Sequence, residues 1–214
     1  SVIKVFVELY KKKLIFKAEK LINWDTVLKT AISDLEVDQR EVNSKLYHIK
    51  YLIDGTNDFI TITTTRPETM LGDTAIAVNS KDLRYKKFVG KFAVIPCVDR
   101  KIKIITDNYA DPNQGTGAVK ITPAHDFNDY DVGKRNNLKI INIFTKEGKI
   151  NNNAPEEFIG LDRFEARKKL LNELTKNDFL VKELHSAASA AFSQPSSSSA
   201  STTFDAPNLS AISA

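Results

Sequence analysis

The sequence predicts an α+β fold, a β-barrel-like mixed sheet of short strands with helices at its periphery. Three observations predict it. Between residues 45 and 144, short stretches of alternating apolar and polar side chains recur, separated by turn-forming residues, which is the pattern of half-buried strands. Only two later segments, near 123–133 and 162–176, read as helices, and many short strands with few helices favour a closed or strongly curved sheet. Finally, 214 residues of which 42% are hydrophobic and 27% charged can hold a core without staples. Cys97 is the only cysteine, so an intramolecular disulfide is excluded.

The elements follow in order. Val2, Phe6, Leu9 and Tyr10 stand near helical spacing and run into Lys11, Lys12 and Lys13, as a helix C-terminus does. Residues 21–24 read as a short strand. From Lys45 a loose alternation passes through Leu46, His48, Tyr51 and Ile53, Asp54-Gly55 supplies a turn, and Phe59, Ile60 and Ile62 return. A hairpin is expected there, leading into Thr63, Thr64 and Thr65. Further strands are expected at 74–78, 92–95, 102–106, 118–122 and 140–144. A helix is expected from Pro123 or soon after to near Gly133, with Thr122 as its cap and Pro123 in its first turn. Another should run from Asp162 to about Lys176, opened by a capping box with Asp162 in place of Ser or Thr, and with Phe164, Leu170, Leu171 and Leu174 inward. There is no internal repeat.

Charge and composition divide the chain. Residues 186–214 contain one charged side chain, Asp205, so the net charge of +4 becomes +5 over residues 1–185, 31 basic against 26 acidic residues. That excess suits a polyanionic partner without requiring one. Ser and Ala supply 18 of those last 29 residues, too little apolar surface to fold alone. This tail is expected to be disordered, either a natural linker or an appended extension. The apolar run 92–98 is interrupted by Pro96 and is far shorter than the roughly 20 residues that cross a bilayer. No charged-then-apolar leader is present, and the chain reads as an excised piece of a cytoplasmic protein, monomeric by default.

Three segments concentrate unusual chemistry: 63–73 (TTTRPETMLGD), 115–122 (GTGAVKIT) and 123–131 (PAHDFNDYD). Each has a plain explanation: threonines are strand formers, Gly115-Thr116-Gly117 makes a tight turn, and Asp126 and Asp129 suit a helix start. The glycines lack the spacing of a Walker loop or a dinucleotide fingerprint. Taken together, the segments describe one pocket of hydroxyls, an ammonium and two carboxylates. Only three histidines occur, His48, His125 and His185. No serine elbow accompanies them, and the further ligands that a His125-Asp126 metal site needs are missing, so no metal is expected.

The strings TTTRPETMLGDTAIAV, GTGAVKITPAHDFNDYDVGKRNNLKIINIF and LINWDTVLKTAISDLEV closely resemble the valyl-tRNA synthetase family, in the editing domain inserted into its catalytic core. The resemblance covers nearly all of residues 1–185. Leucyl enzymes tend to read TTRPDT and isoleucyl enzymes TTTPWT-like strings, whereas Arg66-Pro67-Glu68-Thr69 followed by Met70-Leu71-Gly72-Asp73 matches the valyl form. HIGH-like and KMSKS-like strings are absent, so amino acid activation is not expected of this chain. The resemblance implies three regions: a flank joining the catalytic core at 1–36, the editing domain at 37–185, and the tail at 186–214.

It also implies a reaction, hydrolysis of mischarged Thr-tRNA(Val) by water attack on the ester, with threonyl-adenylate as a further substrate and no cofactor. Asp129 matches the carboxylate set against the substrate's α-ammonium. Lys120, Thr122 and Asp126 match positions that read the threonine hydroxyl and order the attacking water. Thr64, Thr65, Arg66 and Thr69 match the pocket's threonine-rich wall, with Arg66 directed to the terminal adenosine or phosphate; Glu68 and Gly117 fall in the same motifs and are assigned to substrate binding. His125 joins them, either as a general base or as a structural imidazole at a helix start. Lys86, Lys87, Lys101, Lys103, Lys134 and Arg135 are available to follow a tRNA acceptor end. Two alternatives stay open: a module that binds the tRNA 3′ end without hydrolysis, and the editing domain of an isoleucyl or leucyl enzyme.

Overall fold

The computed structural model describes residues 1–17, 19–193 and 209–212. Helix α1 (Val2–Lys11) leads to β1 (Lys20–Asp25) and β2 (Thr30–Ile32), an antiparallel pair. A capping box between Ser33 and Glu36 opens a single 3-10 turn, and the long strand β3 (Val37–Ile53) follows. Then come β4 (Phe59–Thr64), the 3-10 segment Pro67–Gly72, β5 (Ala75–Val78), β6 (Phe92–Val94), β7 (Lys101–Thr106) and β8 (Ala118–Ile121). Helices α2 (Phe127–Arg135) and α3 (Arg163–Lys176) precede β9 (Leu180–Ser193) and β10 (Leu209–Ile212), and β10 pairs with β1. Among the described residues no helix is long and apolar enough to cross a membrane.

The main sheet runs β4-β3-β6-β7-β5-β8, with β9 added on β3; among the described residues only the β5–β7 pair is parallel. β4 and β8, at the two ends of the path, touch. The sheet is therefore nearly closed, which is the barrel-like α+β architecture expected from the sequence. Its interior is set by the period of two along β3 and β4: Tyr47, Ile49, Tyr51 and Ile53 face Ile60 and Ile62 inside. Each such aliphatic side chain contributes roughly 1.5–3 kcal/mol by leaving water. A second, smaller cluster lies on the other face, where Ala75, Ala77 and Ile121 receive Val132 of α2. Small side chains at 75 and 77 let the helix come close.

Four expectations need correction. The first internal helix starts at Phe127, and its cap is Asp126, whose carboxylate accepts the N–H groups of Asn128 and Asp129. Thr122 cannot serve as the cap because its hydroxyl is taken up by the buried network described below. Residues 140–144 form no strand: the Ile143 N–H goes to the His125 ring and the Phe144 N–H to the Asn142 side chain, which leaves only a bridge between Phe144 and Ile150. That segment lies on Gly72, where a Cβ would meet the Ile141 carbonyl at 2.9 Å. β3 starts eight residues before Lys45, because from Val37 to Leu46 it pairs with β9 in a two-stranded ribbon. α3 is capped by Asp162, whose carboxylate accepts the Phe164 N–H in place of the expected capping box, and it buries Ala166, Leu170 and Leu174, while Phe164 and Leu171 are only half-buried.

β9 carries the backbone across the composition break at 186 as far as Ser193; ladder hydrogen bonds need no apolar side chains. Most of the remaining tail, 194–208 and 213–214, lies outside the described residues.

Candidate active site

A pocket of about 310 Å³ opens where the end of β4, the Pro67–Gly72 turn, β8 and the start of α2 meet. Its walls include Thr64, Thr65, Arg66, Thr69, Lys120, Thr122, His125, Asp126 and Asp129, with Leu46, Thr63, Tyr109 and Val119 completing it. Nine of the eleven site residues expected from the sequence therefore converge. Glu68 and Gly117 do not line it. Glu68 is buried and held bidentately by Arg167 at 2.7 and 2.8 Å. Gly117 has φ of +79° in a turn where a Cβ would meet the Arg84 guanidinium at 2.5 Å. Two other hollows are larger, at about 580 and 390 Å³, around Asn151–Asn153 and around Cys97; neither is lined by a buried ionisable group.

One wall is a closed hydrogen-bond network. Lys120 Nζ donates to Thr69 Oγ1 at 2.8 Å, Asp73 Oδ1 at 3.1 Å and Thr122 Oγ1 at 2.5 Å. The Thr122 hydroxyl donates to Asp73 Oδ1 at 2.6 Å, the Tyr51 hydroxyl to Asp73 Oδ2 at 2.7 Å, and the Thr69 hydroxyl to the Arg66 carbonyl at 2.9 Å. Burial pushes the Asp73 carboxyl up, and Lys120, Thr122 and Tyr51 pull against it. Tyr51 is pushed up further, by burial and by the Asp73 charge. Asp73 and Tyr51 are the members that sequence reasoning missed. Asp73 stands inside the first quoted motif, but its partners lie 22, 47 and 49 residues away.

The neighbouring carboxylates are less satisfied. Asp126 spends Oδ1 on the helix cap. Asp129, 6% exposed, accepts the Thr122 N–H at 2.8 Å through Oδ2, and among the described residues no cation lies within ion-pair distance of it. Burial raises its pKa to about 7; Lys120 opposes the shift, and Asp126 adds to it. Tyr109, at the pocket edge, is pushed to about 12, first by burial and then by the charges of Asp129 and Asp126. The pocket thus offers acceptors and negative charge, the complement of a ligand that brings an ammonium.

Two residues occupy themselves structurally. The buried His125 ring accepts the Ile143 N–H on Nε2 at 3.1 Å and meets Phe144 edge-on at 4.7 Å. With Nε2 accepting, the neutral ring carries its proton on Nδ1. Arg66 donates through Nη1 to the His125 carbonyl at 3.0 Å, and its Nε stands 3.9 Å from Glu68. Together they tie the threonine-rich turn to the start of α2. Among the described residues no group of three or more His, Cys, Asp or Glu is placed to hold a metal ion. Of the surface cations, Lys87, Lys101 and Arg135 pair with Asp58, Asp54 and Asp107.

Residues 1–193 match the family model described as tRNA synthetases class I (I, L, M and V). The chain belongs to the class I tRNA synthetases. Among relatives of this class I chain, the valine–tRNA ligase of Pelagibacter ubique is 73% identical over 183 residues, covering 86% of this chain and 21% of that protein. Those of Caulobacter vibrioides and Thermotoga maritima are 50% and 51% identical, over 84% and 85% of this chain and 22% and 21% of theirs. The chain spans about a fifth of the length of these relatives. The fold is shared with a crystal structure of a LeuRS–tRNA–LeuAMS ternary complex from Agrobacterium radiobacter K84. The TM-score is 0.51 at 18% identity, over 87% of this chain and 31% of that one.

Proposed function

We propose that this chain is the editing domain of a valine-specific synthetase and hydrolyses the threonyl ester of mischarged Thr-tRNA(Val). The observation that carries the reading is Asp129, a buried carboxylate with one hydrogen bond and no cation at ion-pair distance among the described residues. An aminoacyl ester brings an α-ammonium. A charge-assisted hydrogen bond from that ammonium to Asp129 fixes the adjacent ester carbonyl in one place. The ester is already reactive, so positioning one water and stabilising the developing oxyanion suffices, with no protein nucleophile. Asp126, whose Oδ2 is not used by the helix cap, is the second acceptor for that water or for the threonine hydroxyl.

Valine and threonine are nearly isosteric, and an apolar pocket rejects an added hydroxyl poorly; valine-specific synthetases are themselves the standing example of that limit. A polar pocket reverses the preference, because valine leaves buried acceptors without partners. The choice of valine rests on the valine–tRNA ligase relatives. The tRNA 3′ end is the proposed carrier of the substrate, and the rest of a synthetase the proposed context.

The test is deacylation of Thr-tRNA(Val) and Val-tRNA(Val) by the chain, with Asp129→Ala and a chelator control. Hydrolysis of the threonyl ester alone, lost in the variant and indifferent to chelator, is the expected result. Activity retained in Asp129→Ala overturns the assignment. Binding of tRNA without hydrolysis would make the chain a 3′-end carrier instead.

A further inference from the structure

Lys120 shares the pocket with Asp129, and its charge acts on that carboxyl group. It nevertheless makes its ion pair with Asp73, at 3.1 Å. Its other two N–H bonds end on Thr69 and Thr122. An ammonium has three protons, and all three point away from Asp129 here. Asp73 is secured from behind: Tyr51 donates to Oδ2 and the Thr122 hydroxyl to Oδ1. Arg100 Nη2 donates to the carbonyls of Leu71 and of Asp73 itself, at 2.7 and 3.0 Å, which anchors the backbone that carries the carboxylate.

We propose that Asp73, positioned by Tyr51, is the counter-ion that holds Lys120 off Asp129 and so keeps Asp129 open to the substrate's ammonium. The inference rests on the role given to Asp129 above. Its logic is competition in a dry pocket. Two carboxylates share one lysine, and the lysine stays with the carboxylate whose surroundings also satisfy its remaining protons. With Lys120 and Asp73 neutralising each other, Asp129 and Asp126 hold the uncompensated charge, which favours a cationic ligand. If Asp73 loses its charge, Lys120 turns to Asp129 and fills the place meant for the substrate amine. Asp73 is thus a positioning residue that touches no substrate atom.

The experiment compares the chain with Asp73→Asn, Tyr51→Phe and the double variant Asp73→Asn/Lys120→Met. One readout is the titration of the Asp129 carboxyl by carbon-13 NMR, which needs neither ligand nor activity. The other is affinity for the amide analogue of 3′-threonyl-adenosine and for the same analogue without its α-amine. In Asp73→Asn the Asp129 midpoint is expected to fall by about one pH unit or more. The amine-bearing analogue should then bind about tenfold or more weakly, with the amine-free one unchanged. Adding Lys120→Met should raise the midpoint again and restore the difference in affinity between the two analogues, whatever it does to both alike, whereas Tyr51→Phe should act like Asp73→Asn but less. A purely structural Asp73 would weaken both analogues alike and would not be rescued by removing Lys120, and that result overturns the proposal. So does an unmoved Asp129 titration in Tyr51→Phe, which decides the matter should Asp73→Asn fail to fold. If the unaltered chain binds neither analogue, the editing reading fails, while the titration still tests whether Asp73 holds Lys120.

Discussion

Two clusters of buried charge meet at Thr122 beside one pocket and are built on opposite plans. Around Asp73 every proton of Lys120 and both carboxylate oxygens have protein partners. At the start of α2, Asp129 has one backbone N–H and no counter-ion at ion-pair distance among the described residues. A saturated cluster is held in place by the protein's own groups; an unsaturated one carries a cost of burial that a ligand can relieve. On the proposed reading, that difference sets Asp129 apart from the other buried charges as the group for the ammonium.

The largest effect that tests this contrast is on activity. Asp129→Ala should lower kcat/KM for threonyl ester hydrolysis by on the order of 10²–10³-fold, the cost of losing a buried charged contact to substrate. The fold should survive, because no other residue depends on that carboxylate except through the Thr122 N–H. Circular dichroism together with deacylation kinetics checks both halves.

Asp73→Ala should act on stability as well. It leaves Lys120 buried without a counter-ion, a change that costs about 3–5 kcal/mol, and should lower the Tm by roughly 6–20 °C. Replacing both partners, as Asp73→Leu/Lys120→Met, should recover most of that loss, since an apolar pair of similar volume can match a buried ion pair. Thermal denaturation of the single and double variants decides it. No recovery in the double variant would mean that the network stabilises by more than mutual satisfaction.

The pH dependence of stability separates the clusters again. A carboxyl raised to about 7 in the folded state binds its proton more tightly there than in the unfolded chain. Stability must therefore fall as pH rises from about 4 to about 7, because the folded state binds more protons throughout that window. Asp129→Asn should remove that slope. Asp107, lowered to about 2 by Arg135 and the N–H of Tyr109, works oppositely. Its contribution is present above about 4 and is lost as pH falls toward 2, and Asp107→Asn should abolish it. Denaturant midpoints across pH 2–8 read both. Below pH 7 the same protonation of Asp129 should weaken capture of an ammonium, by about tenfold per unit.

What the sequence made legible follows from the same division. Local patterns placed most strands, the hairpin through Asp54-Gly55 and the Asp162 cap, because period and turn chemistry are written in neighbouring residues. They failed wherever a polar group had a distant claimant. Thr122 looks like a helix cap from its neighbours, yet Asp73 and Lys120 hold its hydroxyl. The apolar run 140–144 looks like a strand, yet the N–H groups of Ile143 and Phe144 go to side chains. The polar half of β3 has no apolar period to reveal it, and what marks it as a strand is its backbone pairing with β9, far along the chain. Glu68 travels with the pocket motif but answers to Arg167, 99 residues further on. Asp73 was hidden for the same reason: nothing near it in sequence announces Tyr51 or Lys120.

His125 supplies the smallest effect and the finest test, since it lines the pocket yet is bonded like the architectural cluster. A general base needs a lone pair directed at the substrate's water, and the Nε2 lone pair is already engaged by the Ile143 N–H. His125→Phe keeps the stacking surface toward Phe144 and leaves that N–H buried without an acceptor. The expected loss of stability is about 1–3 kcal/mol. Loss of hydrolysis should not exceed about tenfold, below the range typical of removing an acid–base catalyst. A His125→Phe protein that folds normally but loses as much activity as Asp129→Ala would move His125 into the unsaturated, substrate-facing class. In that case the pocket would have two functional walls joined at the start of α2.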